Sequence, residues 1–119
     1  MEGDPLGACN FEVELGGESV GLSEVHGLAY EVDEGRVGPV ILRRGAGVDL
    51  TLWAWARDPA PRTVTITLLD AQRRPVCRYV LESARPIRWS GPTLDAMSAG
   101  IATEELVVVA LGMDLETLG

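Results

Sequence analysis

The sequence predicts a mainly β fold with a single flanking helix, and three observations support this prediction. Polar and apolar residues alternate in Asn10–Leu15 and again in Thr63–Leu69, which is the period of half-buried strands. Leu106–Leu111 is an apolar run rich in Val, which is typical of a strand buried on both faces. Val48–Arg57 is the one segment with a convincing helical pattern.

Length and composition predict one domain over residues 1–119. A hydrophobic fraction of 46% is ample for a folded core. No apolar run approaches the roughly 20 residues of a membrane span, so we expect no membrane insertion by this chain. The acidic start lacks the features of a signal peptide, which favours cytoplasmic synthesis. Residues 1–9 are expected to be a leader, and Gly112–Gly119 a frayed C-terminal tail with Leu115 and Leu118 as docking residues.

Charge is distributed unevenly. The net charge of −8 argues against nucleic-acid binding through a basic face. All ten basic residues are Arg and lie from Arg36 onward, whereas Met1–Gly35 carries nine acids. Two interpretations stay open: complementary contacts between neighbouring copies, or a solvated acidic surface that aids solubility.

No residue pattern points to catalysis. Cys9 and Cys77 have no further ligands at metal-binding spacing, and His26 is the only histidine. There is no Ser-His-Asp set and no Gly-rich phosphate loop. We therefore predict a protein that is not an enzyme and needs no cofactor.

The first half of the chain is expected to contain short strands and then the helix. Gly16-Gly17 predicts the turn of an opening hairpin, and Gly27 predicts a bend or bulge in a long curved strand that includes Ala29–Asp33. A short turn over Glu34–Pro39 then leads into the strand Val40–Arg44.

The helix Val48–Arg57 should be capped by Asp49 and stopped by Asp58-Pro59. Its spacing predicts one mainly apolar face that ends in a charge. That face consists of Leu50, Trp53, Ala54 and Arg57.

The strand Thr63–Leu69 presents a threonine face opposite its apolar face, and this face suits either solvent or the wall of a channel. After a turn at Asp70–Pro75, Val76–Leu81 should return antiparallel with Tyr79 and Leu81 in the core.

Two prolines frame the next strand. Because proline cannot donate to a ladder, Pro86 and Pro92 predict a short edge-like strand at Ile87–Trp89 and a turn at Ser90–Pro92. Trp89 is expected to be a packing anchor. A polar connection follows and leads to the apolar strand.

Several motifs in order resemble the tail tube proteins of contractile phages and their relatives in extracellular contractile injection systems. The resemblance covers about Phe11 to Met113. The matching residues are Ser23, Glu24, Val25, Gly27 and Leu28; Leu42, Arg43, Arg44 and Gly45; Leu52, Trp53 and Trp55; the Leu-Leu-Asp hairpin at 68–70; and Pro86, Trp89, Pro92 and Leu94.

The resemblance implies a β-barrel or sandwich whose six-subunit ring joins its inner strands into one continuous barrel. It also implies self-stacking of rings into a tube, with a contractile sheath protein, baseplate and cap proteins as partners. The lumen would carry DNA or an effector protein, and the resemblance implies a phage tail or a tail-like particle that can be released from the cell. The family's long excursion is missing at Glu34–Pro39, so a tube initiator at the baseplate or a tube terminator is the alternative role.

Residues for the two tube surfaces are predicted by charge and polarity. Candidates for ring stacking are Arg73 and Arg74. Candidates for the lumen are Glu31, Asp33, Thr63, Thr65 and Thr67.

Overall fold

The computed structural model describes residues 10–97 and 100–118, so the predicted leader lies outside the described residues. No helix in this part of the chain is long and apolar enough to cross a membrane. The elements, in order, are β1 Phe11–Leu15, β2 Glu18–Val20, β3 Glu24–His26, β4 Tyr30–Glu31, β5 Arg36–Gly45, α1 Thr51–Arg57, β6 Arg62–Leu69, β7 Pro75–Ser90, β8 Thr103–Ala110 and β9 Gly112–Thr117.

The long strand β7 belongs to two sheets, and all strand pairs are antiparallel. In sheet A the order is β2-β1-β6-β7-β9, and in sheet B it is β3-β5-β8-β7, with β4 also paired to β5. Between the two halves of β7, Ser83 adopts a φ of 50°, and the amide of Leu111 donates to the carbonyl of Glu82 at 3.0 Å. The predicted mainly β fold with one helix is confirmed.

One hydrophobic core lies between the two sheets and the helix. Each contributing strand presents alternate side chains to it, as the period of two requires. The buried members include Val13, Leu15, Val64, Ile66 and Leu81 from sheet A, Val40, Leu42, Leu106 and Val108 from sheet B, and Leu52 and Trp55 from α1.

The helix begins later than the sequence suggests. α1 starts at Thr51, and Leu50 occupies the N-cap position without a side-chain cap. Asp49 is therefore not the cap. Its carboxylate instead accepts hydrogen bonds from the amide of Thr51 at 2.9 Å and from its hydroxyl at 2.6 Å. These bonds close a local turn, which competes with helical conformation at Asp49.

The predicted buried face of the helix is wrong. Leu50 and Trp53 are exposed, whereas Leu52 and Trp55 are fully buried. The indole N–H of Trp55 donates to the carbonyl of Ala60 at 2.8 Å, and this bond fixes the ring beneath the chain that leaves the helix. In a helix of seven residues both faces contain apolar side chains, so periodicity does not identify the buried one.

β7 corrects one prediction for the central stretch and confirms another. Ile87–Trp89 is the end of a 16-residue strand rather than a separate short one. The register shifts between Pro86 and Arg88, and this irregularity accommodates the proline. Its edge character is confirmed, because within the described chain Arg85–Ser90 pairs with β8 and no other strand.

β8 is buried on one face only. Leu106 and Val108 are fully buried, but Val107 and Val109, which point the other way, are half-exposed. The prediction of burial on both faces therefore fails for the isolated chain. The second face is therefore apolar and only partly covered within one copy.

The predicted frayed tail is also wrong. Gly112–Thr117 forms β9, which pairs with Cys77–Glu82 of β7. The amide of Leu118 also donates to the carbonyl of Val76 at 2.8 Å. Leu115, expected to dock, is exposed. The largely exposed side chains of β9 do not form a recognisable strand pattern, because the strand is stabilised by its pairing with β7 rather than by burial.

The turns of the first half are mostly as predicted. Gly16 and Gly17 both adopt positive φ in the β1–β2 turn. Gly27 has a φ of +83°, as expected at a bend, but the expected long strand is interrupted there into β3 and β4. β5, however, begins at Arg36 rather than Val40, and β4 is only two residues long. The turn is accordingly shorter than Glu34–Pro39.

Candidate assembly interface

The face of sheet B that points away from the core is not covered by any described element. Register places Glu24, Arg43, Glu105 and Ser90 in one row across four strands. Cross-strand neighbours on one face lie close enough to interact, so Arg43 has one acid on each side, Glu24 on β3 and Glu105 on β8. His26 lies in the adjacent row, opposite Ile41.

Arg43 joins three strands through this row. Its Nε donates to Glu105 Oε1 at 2.7 Å, and its Nη1 donates to both carboxylate oxygens of Glu24 at 3.2 Å. Glu24 also lies 2.7 Å from His26 Nε2. Hydrogen bonds from His26 and Arg43 lower the pKa of Glu24, and bonds to Glu105 and Glu24 raise the pKa of Arg43. Most of the charge in this row is neutralised within the chain.

A second ionic group lies on the core side of the same strands. Arg44 Nη1 is 3.0 Å from Asp49 Oδ2, and its Nε is 3.9 Å from Glu104 Oε1. Burial raises the pKa of Glu104, while hydrogen bonds from the Thr51 hydroxyl and amide, then from Arg44, lower the pKa of Asp49 to about 2. The group ties the connection before α1 to β5 and β8, so its role is structural.

Sheet B has two open lateral edges in the described part of the chain. β3 and β4 pair only with β5 at one edge, and Arg85–Ser90 pairs only with β8 at the other. Unpaired edges present rows of backbone donors and acceptors that favour strand addition. Because the two edges differ, a contact between them is head-to-tail and can close a ring.

The motif residues that were identified by resemblance serve mainly to build sheet B. Ser23 donates its hydroxyl to the carbonyl of Arg43 at 3.0 Å. An added Cβ at Gly27 would lie 2.5 Å from the carbonyl oxygen of Pro39. Val25, Leu28, Leu42 and Leu52 pack in or against the core.

Trp89 is a weaker anchor than expected. It packs against the core but is only half-buried, and its indole N–H has no acceptor among the described residues. Trp53 meets it edge-on with ring centroids 4.9 Å apart, and Arg57 lies over the Trp53 ring at 5.6 Å. The pair forms an aromatic surface beside α1.

The structure separates the predicted lumen residues. Thr63, Thr65 and Thr67 lie on the face of sheet A that points away from the core. Glu31 and Asp33 lie in and beside the β4–β5 hairpin of sheet B. The two groups do not form one surface.

The predicted stacking residues lie in the β6–β7 turn and have acidic partners in their own chain. Arg74 Nε donates to Asp70 at 3.1 Å, and Arg73 lies 4.0 Å from Glu12. Glu12 belongs to the acidic N-terminal third, so part of that third lies beside this turn. Their role in stacking stays a prediction.

Sequence reasoning missed Glu105, the second partner of Arg43. It lies in the Glu-Glu-Leu segment before the apolar run, and only the pairing of β5 with β8 brings it to Arg43. Among the described residues, no cluster of His, Cys, Asp or Glu could hold a metal ion.

Comparisons with known proteins agree with this architecture. The model of the T4-like virus tail tube protein gp19 family matches residues 36–114. No curated protein sequence matches the chain.

Solved structures show the same fold at low sequence identity. The sheath–tube complex of the extracellular contractile injection system PVC, in its extended state, matches with a TM-score of 0.85 and 19% identity, over 98% of this chain and 95% of that one. The tube-terminating cap of the anti-feeding prophage matches with a TM-score of 0.84 and 18% identity, over 97% of this chain and 93% of that one. Hcp1 from Flavobacterium johnsoniae matches with a TM-score of 0.70 and 13% identity, over 92% of this chain and 96% of that one. Since the family model spans well over half of its length, the chain belongs to the T4-like virus tail tube protein gp19 family.

Proposed function

We propose that this chain is a structural inner tube protein of a contractile tail or contractile injection system. The observation that carries the proposal is the pair of open edges on sheet B. Pairing of β3 and β4 from one copy with Arg85–Ser90 of the next removes both edges at once. Repetition closes a ring with one continuous inner barrel. A related anti-feeding prophage baseplate was analysed with six-fold symmetry, which supports six copies per ring.

The bare face of sheet B faces the ring axis in this proposal. Its other face is covered by sheet A and α1, and that bulk fits at the larger radius outside the barrel. Arg43, Glu105, Val107 and Ile41 would then line the lumen.

The threonine candidates take a different place in this arrangement. Thr63, Thr65 and Thr67 lie on sheet A, so we assign them to the outside of the tube. The proposed lumen has charges already paired within the chain, through Arg43 with Glu24 and Glu105. Arg88 lies opposite Val107 on the same face and is exposed, so this wall would present a guanidinium to a passing cargo, whether DNA or an effector protein.

Partners follow from this position in the particle. The proposed contacts are further rings of the same chain, a contractile sheath protein around the tube, and baseplate and cap proteins at its ends. The similar structures come from a sheath–tube complex and a tube-terminating cap, which supports this set. We propose assembly in the cytoplasm into a phage tail or tail-like particle that is then released.

A second role has specific support. A PVC sheath/tube terminator matches over 98% of this chain with a TM-score of 0.82, almost as well as the tube. The turn before β5 is also short. The chain could therefore occupy one ring as a terminator or initiator rather than the whole tube.

Electron microscopy and quantitative mass spectrometry of particles from producing cells test these alternatives together. End-on views should show six-fold rings with an axial channel, and the chain should be as abundant as the sheath protein. An abundance of about one ring per particle would assign the terminator or initiator role. A different symmetry, or no channel, would contradict both.

A further inference from the structure

The two ends of sheet B differ sharply in what they expose. β5 pairs with β8 from Val37–Ala110 at one end to Gly45–Thr103 at the other. At about 3.3 Å per residue these ends lie roughly 25 Å apart along the strands. Features at the two ends cannot meet within one copy, but they can meet between copies that follow one another along the strand direction.

One end is apolar. The connections after β5 and before β8 leave this end together, joined by the amide of Ala46, which donates to the carbonyl of Ala102 at 2.9 Å. They expose Leu94 and Ile101, which line one cavity together and are 85% and 87% accessible. Clustered exposure of large apolar side chains marks an interaction site. Asp95 lies beside Leu94 and has no basic partner in the described chain.

The opposite end has a groove of about 410 Å³ between the β4–β5 hairpin and the bends of β7 and β8. Pro39, Val109 and Leu111 supply apolar walls, Arg85 stands at the β7 side, and Glu31 and Glu34 also line the groove. Arg36 pairs with Glu34, but Arg85 has no acidic partner among the described residues. The volume equals the liquid share of roughly a dozen waters, which is enough for two aliphatic side chains.

We propose that Leu94 and Ile101 of one copy insert into this groove of a second copy in the adjacent ring, with Asp95 paired to Arg85. The inference rests on the proposed tube function and identifies its stacking contact. Edge pairing acts across the strands and closes a ring, whereas this contact acts along them and cannot close, so it repeats from ring to ring. The short turn before β5 leaves the groove accessible.

The opposite charges allow a reciprocal test. Full-length Asp95→Arg and Arg85→Asp variants are produced in place of the wild type in particle-forming cells, and stacked tubes are counted against free rings by electron microscopy. Asp95→Arg should lower the yield of stacked tubes roughly tenfold while rings persist, because a weak surface pair is repeated in every subunit of the ring. Arg85→Asp should lower the number of stacked tubes per ring by a similar factor, and its rings are counted separately because Arg85 also lies on the proposed ring-closing edge. The double variant, with the charges exchanged, should recover most of the yield.

The apolar contribution is tested separately. Leu94→Asp should reduce stacking, and Leu115→Asp, the same change at an exposed site on β9, should not. Thermal unfolding of the purified variants establishes that each one folds. The double variant Arg73→Glu with Arg74→Glu tests the alternative hypothesis, in which the β6–β7 turn makes the stacking contact.

Three results would overturn the inference. They are single charge variants that stack normally, an exchanged pair that does not recover, and loss of stacking only in the Arg73 and Arg74 variant. A wild-type particle with one ring of this chain would also overturn it, while leaving the terminator role intact. Absence of six-fold rings would instead contradict the proposed function itself.

Discussion

Truncation of the two helix tryptophans should have very different costs, although they are two residues apart. Trp55 is fully buried, and its indole N–H satisfies the carbonyl of Ala60. Trp55→Ala should therefore lower the free energy of unfolding by about 3–5 kcal/mol, which is the usual cost of a large core truncation. For a domain with about 5–15 kcal/mol of total stability, this is a large share.

Trp53→Ala is the matched control. Trp53 is 39% exposed, and its truncation removes mainly the edge-on contact with Trp89 and the contact with the guanidinium of Arg57. These contacts are worth about 1–2 kcal/mol together. Urea unfolding of the isolated chain, followed by far-ultraviolet circular dichroism, measures both variants. Equal losses, or a larger loss for Trp53→Ala, would mean that the helix buries its other face and would refute this account of the core.

Two further changes test local features. Gly27→Ala should lower the free energy of unfolding by more than about 2 kcal/mol, because its φ of +83° is strained for alanine and the new Cβ would meet the Pro39 carbonyl. Gly17→Ala has a similar φ of +88° but open space around the new Cβ, so it should lower the free energy of unfolding by only about 1 kcal/mol. Similar urea midpoints for the two variants would contradict the close approach at Gly27. Asp49 has its pKa lowered from 3.8 to about 2, so its contribution to stability is complete above pH 3.8 and is lost as the pH falls toward 2. Asp49→Asn should therefore show a smaller fall in melting temperature than the wild type across this range, and parallel curves would remove Asp49 from the acid response.

Local patterns in the sequence were sufficient for the strands with one polar face. The alternation in β1 and β6 and the Gly16-Gly17 turn predicted those elements correctly, because side-chain period and backbone freedom act within a few residues. β9 was missed since its stability comes from pairing with β7, a long-range contact that its own largely exposed side chains do not reveal.

The candidate interface was predictable only in part. Arg43 and Glu24 were found through their motifs, but their contact and the contribution of Glu105 depend on the register of three strands. The threonine face was correctly predicted as a polar face, yet its sequence does not indicate which sheet closes a ring. That choice depends on which sheet has two free edges beside a bare face, and this follows from topology alone.

A reconstruction of the assembled particle at a resolution that separates strands tests the central claim most directly. We predict that Arg85–Ser90 of each copy pairs with β3 and β4 of its neighbour, and that the Arg43 side chain faces a six-fold axial channel. Rings joined through sheet A, or a channel lined by Thr63, Thr65 and Thr67, would contradict it.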